Sequence, residues 1–139
     1  RFKDKEAIVI YTPDHGEECY EGRRGFICRN HSSNIDYNLA RYEFEIPFWI
    51  YTSPSYKAKH PEVFQQIVAA KDKKFMIDAL PHLLLYLGGI HTKDYRDEHN
   101  ILSKNYRENR PRILKGTTDY DKLDRSKKEL QVPLRKKKK

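Results

Sequence analysis

One stretch constrains this chain more than any other: Ala7-Ile8-Val9-Ile10-Tyr11-Thr12-Pro13-Asp14-His15-Gly16-Glu17. Residues 7–11 are apolar or aromatic without a break. Such a run predicts a strand buried on both faces, the habit of parallel sheets. Thr12-Pro13 ends it, because proline has no N–H to give a ladder. Open α/β sheets collect ligands at the carboxyl ends of their strands, so Asp14 and His15 fall where chemistry is expected. A carboxylate oxygen beside an imidazole nitrogen suits Zn2+ or Mn2+. The same residues also suit a plain turn followed by a helix cap.

Residues 16–36 read as a long loop holding Gly22, Gly25, Cys19, Cys28 and His31. Loops of that length are uncommon in compact domains without a functional reason. If the loop leaves and returns to the strand end, His31 comes back beside His15, where it could meet a metal or an anionic oxygen. The plainer alternative is a surface histidine. Cys19 and Cys28 can staple the loop as a local disulfide or remain a pair of thiols, and their spacing does not match a zinc knuckle.

Further on, residues 38–44 suit a short helix or an extended approach, and residues 46–51 a second strand with Pro47 at its start or on an edge. Residues 52–55 read as a turn. Residues 61–71 predict a helix, with Pro61 in its first turn and Val63, Phe64, Ile67 and Val68 on one face. Asp78 is placed to N-cap another helix over 79–87, striped by Leu80, Leu83, Leu84 and Leu87 and closed by Gly88-Gly89. One more short helix is expected within 95–106 and an edge strand at 112–114. Strand, loop, strand, helix, helix is part of an α/β/α sandwich with a mostly parallel sheet, whose other strands lie elsewhere.

The chain has 139 residues, enough for one domain with a modest core, and a net charge of +8. Part of that charge is local, since residues 135–139 are five consecutive cations. We expect a domain over 1–115 and a polar, basic tail over 116–139. A basic end can bind nucleic acid or an anionic membrane, or simply be solvated. No stacking motif or glycine-rich loop accompanies it, so nucleic acid is not expected. No apolar run approaches the ~18 residues of a membrane span. The chain lacks an initiator methionine and reaches a strand within seven residues, as expected of a piece of a longer protein.

The segment Ile8-Val9-Ile10-Tyr11-Thr12-Pro13-Asp14-His15-Gly16-Glu17-Glu18 resembles the Asp-His-Gly-Glu segment of sulfatase-like enzymes in the alkaline phosphatase superfamily. Within them it is similar to the lipid A and lipopolysaccharide-core phosphoethanolamine transferases. Three features agree in order: Asn30-His31 after the loop, Pro47-Phe48-Trp49-Ile50-Tyr51 as a strand, and Asp78, His82, Leu84, Leu87 and Gly88 in the following helix.

The resemblance implies that Asp14 and His15 are metal ligands, with zinc the usual ion and manganese or another divalent metal possible. It implies that His31 meets the transferred phosphoryl group or a second metal. The nucleophile of such enzymes is a threonine upstream of the Asp-His-Gly segment, so Thr12 is not that residue. The full enzyme would take phosphoethanolamine from phosphatidylethanolamine through a phospho-threonine intermediate and pass it to a sugar-phosphate acceptor, on lipopolysaccharide or a related glycan. N-terminal membrane helices would hold it at the periplasmic face of the inner membrane, where a Cys19–Cys28 disulfide would fit. The chain alone would be inactive.

Two rivals stand beside this reading. One keeps the fold and lets water be the acceptor, giving a sulfatase or phosphodiesterase. The other is a non-catalytic basic module that binds anionic lipid or nucleic acid through residues 135–139. Among the remaining residues, Glu17 and Glu18 read as solvated acids or partners of the histidines. His82 reads as a packed or surface histidine, His60, His91 and His99 as surface residues, Trp49 as core, and Tyr51 and Tyr56 as packing groups.

Overall fold

The computed structural model describes residues 2–20 and 34–126, together with the backbone of 27–28. In chain order the elements are β1 (Ile8–Tyr11), β2 (Glu18–Cys19), β3 (Ile27–Cys28), α1 (Tyr37–Phe44), β4 (Trp49–Thr52), α2 (Pro54–Lys59), α3 (Pro61–Ala70), α4 (Leu80–Leu87), β5 (Ile113–Leu114) and β6 (Thr118–Asp119). Short 3-10 turns occupy Ile77–Ala79, Asp97–His99 and Tyr120–Lys122. Two compact units divide the chain, one of Arg1–Ile10 with Trp49–Arg110, the other of Tyr11–Phe48 with Pro111–Lys139.

In the first unit β1 pairs with β4 as a two-stranded sheet. The amide of Ser53, just past β4, donates to the carbonyl of Ala7, just before β1 (2.9 Å). The start of one strand therefore meets the end of the other, the antiparallel sense. Burial is partial: Ile8, Val9 and Ile10 are half-buried. Trp49, expected in the core, is 48% exposed, because a two-stranded ribbon covers little of each strand.

Ser53 holds this unit at one point. Its buried hydroxyl donates to Lys5 O (2.5 Å) and accepts from Ala7 N and Tyr56 N (3.1 Å each). The last bond is the N-cap of α2, and Pro54 follows at the first helical position. The stretch read from sequence as a turn is thus a helix start.

Helix α3 runs where the sequence placed it, although Val68 is 45% exposed. In α4 Leu83 is fully buried, Leu80 and Leu87 are half-buried, and Leu84 faces out. Asp78 does not cap α4. Ala79 stands at that position without a side-chain bond, and the Asp78 carboxylate takes a bidentate pair from Arg110 (2.8 and 2.6 Å). The 3-10 turn at Ile77–Ala79 carries Asp78 away from the first amides of α4. Of the helix expected within 95–106, one 3-10 turn forms, and hydrogen bonds among Tyr95, Asp97, Asn100 and Asn105 brace the segment.

In the second unit Asp36 caps α1, its carboxylate accepting from Leu39 N (2.8 Å). The core gathers Ile35, Ala40, Leu114 and Tyr120, with Tyr37, Phe44 and Leu123 against it. Tyr120 lies beyond the expected boundary at 116, yet it is buried and its hydroxyl donates to Glu45. Burial, and then Glu45, push the Tyr120 phenol well above its ordinary pKa. Residues 118–123 are therefore core-bearing structure rather than tail: β5 and β6 form an antiparallel hairpin, and Arg112 pairs with Asp121 (3.0 and 2.6 Å). Residues 127–139, with the basic run at 135–139, lie outside the described residues.

Candidate metal site

β1 ends as expected and delivers Asp14 and His15 together. Asp14 Oδ1 accepts from the amide of His15 (3.1 Å), which leaves Oδ2 turned toward the ring, 3.6 Å from His15 Nε2. Nδ1 of His15 lies 2.7 Å from the carbonyl oxygen of Gly16. A carbonyl only accepts, so Nδ1 carries a proton, and in the neutral ring it is Nε2 that keeps the lone pair. An imidazole held in this way presents the nitrogen that a metal takes.

The spacing also fits. Two nitrogen and oxygen ligands of one tetrahedral zinc stand about 3.4 Å apart at ordinary bond lengths. Asp14 and His15 could therefore share one divalent ion with little rearrangement. They make half a site, for among the described residues no three His, Cys, Asp or Glu side chains gather around a common point. The Asp14 side chain is 89% exposed, so described residues do not wall it in.

Gly16 has a role that the sequence did not disclose. A Cβ there would sit 2.1 Å from the carbonyl oxygen of Tyr42, well inside contact distance. The Gly16 amide donates to Glu43 O (3.0 Å). Glycine is thus required because the loop bearing His15 lies directly against the last turn of α1. The only signal in the sequence was the glycine itself, directly after the two candidate ligands.

The long loop contains a short antiparallel ribbon of β2 and β3, with Glu18 opposite Cys28 and Cys19 opposite Ile27. Glu17 is exposed, but Glu18 is 2% exposed, so it is not a solvated acid. His31 lies outside the described residues, as does the side chain of Cys28 and with it the disulfide question.

No family model matches the chain. It is 29% identical over 125 residues to phosphoethanolamine transferase EptC of Escherichia coli O18:K1:H7 and 29% over 122 residues to EptC of strain K12. It is 28% identical over 125 residues to phosphoethanolamine transferase CptA of Salmonella typhimurium. The crystal structure of the C-terminal periplasmic domain of EcEptC from Escherichia coli superposes on 86% of the chain with a TM-score of 0.67 at 28% identity. The chain resembles part of a phosphoethanolamine transferase.

The match covers 86%, 84% and 86% of this chain in the three sequences. It spans about a fifth of those transferases and a third of the periplasmic domain (20% and 33%). The α/β fragment expected from the sequence agrees with that likeness. Among the described residues no helix is long and apolar enough to cross a membrane.

Among the described residues of this transferase-like fragment, His60, His82 and His99 make contacts of their own. His60 pairs with Glu6 (3.2 Å) and packs on the ring of Tyr56. With Lys59, it holds the Glu6 carboxyl below its ordinary pKa, Lys59 having the larger effect. The Nδ1 of His82 accepts the amide of Arg96 (3.0 Å), and its ring meets that of His99 edge-on at 5.1 Å. His91 is exposed.

Proposed function

We propose that residues 1–139 form part of a metal-dependent phosphoethanolamine transferase, with Asp14 and His15 as ligands of a divalent cation, zinc first. The observation that carries this reading is the likeness to the EcEptC periplasmic domain, 28% identical with a TM-score of 0.67. The Asp14–His15 geometry supports it independently: a bare Nε2 beside a carboxylate oxygen at 3.6 Å. Likeness to transferases favours this over a hydrolase with water as acceptor. Residues 135–139, through which a basic module would act, lie outside the described residues.

In this reading Asp14 and His15 bind the ion, His15 through Nε2 because Gly16 O holds the proton on Nδ1. When bound, the ion supplies charge neutralisation for phosphoryl oxygens. His31 would orient the transferred group by hydrogen bonding. The nucleophile, a threonine in the resembling family, comes from outside these residues, as do the remaining ligands. The donor would be phosphatidylethanolamine, the acceptor a sugar phosphate, and the location the periplasmic face of the inner membrane.

The test is phosphoethanolamine transfer by the longer protein. Asp14→Ala and His15→Ala should each lower the rate on the order of 100-fold or more, the scale of losing one preorganised electrostatic group. Near-normal rates in both variants would remove the reading. The isolated chain, with half a site, should bind zinc weakly by metal analysis. Tight stoichiometric zinc, lost only in Asp14→Ala, would contradict that.

A further inference from the structure

We propose that His82 is the pH-sensitive half of a clasp that ties the backbone of residues 91–96 to α4 at neutral pH and releases it in acid. Nδ1 of His82 accepts the amide of Arg96 (3.0 Å), so that nitrogen must keep its lone pair. The other nitrogen of the neutral ring then carries the proton. A further proton taken from solvent can land only on Nδ1. There it faces the Arg96 N–H, and the hydrogen bond is lost. Among the described residues this is the one hydrogen bond between α4 and residues 91–99. The Arg96 guanidinium adds no second tie, since it turns back onto the carbonyls of Lys93 and Tyr95 (2.8 and 3.2 Å).

The groups around the ring oppose its charged form. The His99 ring stands edge-on at 5.1 Å, and the Tyr95 ring lies 6.0 Å away. Burial, then His99 and Arg96, lower the His82 pKa below its ordinary value, against a smaller pull from Glu98 and Asp78. The Asp78 carboxylate is already held by Arg110 (2.8 and 2.6 Å). The brace that follows is independent of His82. The Tyr95 hydroxyl donates to Asp97 (3.1 Å) and accepts from Asn100 (3.0 Å), and buried Asn100 accepts the Leu102 amide (3.1 Å). Hydrogen bonds from Ser103 and Asn105 hold the Asp97 carboxyl below its ordinary pKa, so it stays charged while His82 titrates. What opens is therefore the backbone of residues 91–96, with the brace left in place. The clasp lies in the first compact unit and does not involve Asp14 or His15, so it stands whatever they bind.

The full 139-residue chain, labelled with 15N and taken from about pH 7.5 to about pH 5, provides the test. Long-range 1H–15N correlations of His82 read its protonation. The Arg96 amide, its exchange rate divided by the intrinsic one, reads the clasp. At neutral pH His82 should show the Nε2–H form. On acidification Arg96 protection should fall about fivefold to tenfold, the scale of one hydrogen bond. Its midpoint should coincide with that of His82, below about pH 6.5, while the amides of α4 and Leu102 keep their protection. His82→Asn retains an acceptor that does not titrate, so Arg96 protection should no longer depend on pH. His99→Gln removes a neighbouring positive charge, so both midpoints should move together to higher pH. Constant Arg96 protection through the His82 titration would overturn the proposal. So would a fall that survives in His82→Asn, an Arg96 midpoint that does not follow His82 in His99→Gln, or an Nδ1–H form at neutral pH. Parallel loss at Leu102 and throughout α4 would overturn it too, because acid would then unfold the unit instead of opening the clasp.

Discussion

Two histidines, one in each compact unit, bond to backbone through the same ring atom and come out opposite. Nδ1 of His15 gives its proton to a carbonyl, that of Gly16. Nδ1 of His82 accepts a proton from an amide, that of Arg96. Neutral His15 is left with a bare Nε2 facing a carboxylate, whereas the Nε2 of neutral His82 carries the proton, and its ring stands near a second imidazole. The backbone group at Nδ1 therefore separates a candidate ligand from a clasp. Residue type alone does not make that distinction.

The contrast breaks most sharply in transfer activity. In the longer protein His15→Ala should lower phosphoethanolamine transfer on the order of 100-fold, and His82→Ala should change it less than tenfold at a temperature where both remain folded. Equal losses would mean that the two rings are not different in kind.

The next largest effect concerns the glycine that supports His15. Gly16→Ala pushes a methyl group against the Tyr42 carbonyl and should destabilise by about 1–3 kcal/mol in urea unfolding, the scale of overpacking. Gly89→Ala in the other unit meets open space at φ +63° and should cost only about 1 kcal/mol, a backbone effect. If Gly89→Ala proves the costlier, the loop does not rest on α1 as described.

Ser53→Ala removes a helix cap and leaves the half-buried amide of Ala7 short of a partner, so about 1–2 kcal/mol should be lost, read from the same unfolding curves. The smallest effect is one of pH. Burial, and secondly His99, lower the pKa of His82 below its ordinary value. The unfolded chain then takes up a proton at higher pH than the folded one. The contribution of His82 is present above about pH 6.5 and is lost as pH falls through the lower folded pKa. His82→Asn should flatten this slope between pH 5 and about 7 in thermal melts. An unchanged slope would place the titration elsewhere.

Legibility from the sequence followed local physics. The run of residues 7–11 announced a strand, Pro61 and the apolar face announced α3, and Asp14-His15 announced the candidate ligands, because each signal is carried by neighbours along the chain. Helix α2 was missed because Ser53-Pro54 suits both a turn and a helix start, and the choice is made by the distant partners Lys5 and Ala7. Asp78 had the form of a cap, but Arg110 offered it two charge-assisted bonds. Trp49 looked like core because hydrophobicity indicates which side chains favour burial, not how much structure stands over them. Gly16 was invisible as a packing residue, since a close approach between two backbones leaves no pattern in the side chains.

The buried hydroxyl of Ser53 has a consequence for how the first unit comes apart. Lys5, Ala7 and Tyr56 all converge on one oxygen. The segment leading into β1 cannot peel away without uncapping α2, and α2 cannot unwind from its first turn without loosening that segment. Fraying at this end is therefore concerted. The amides of Ala7 and Tyr56 should exchange with solvent through a single opening event, at rates that rise together when Ser53 is replaced by alanine.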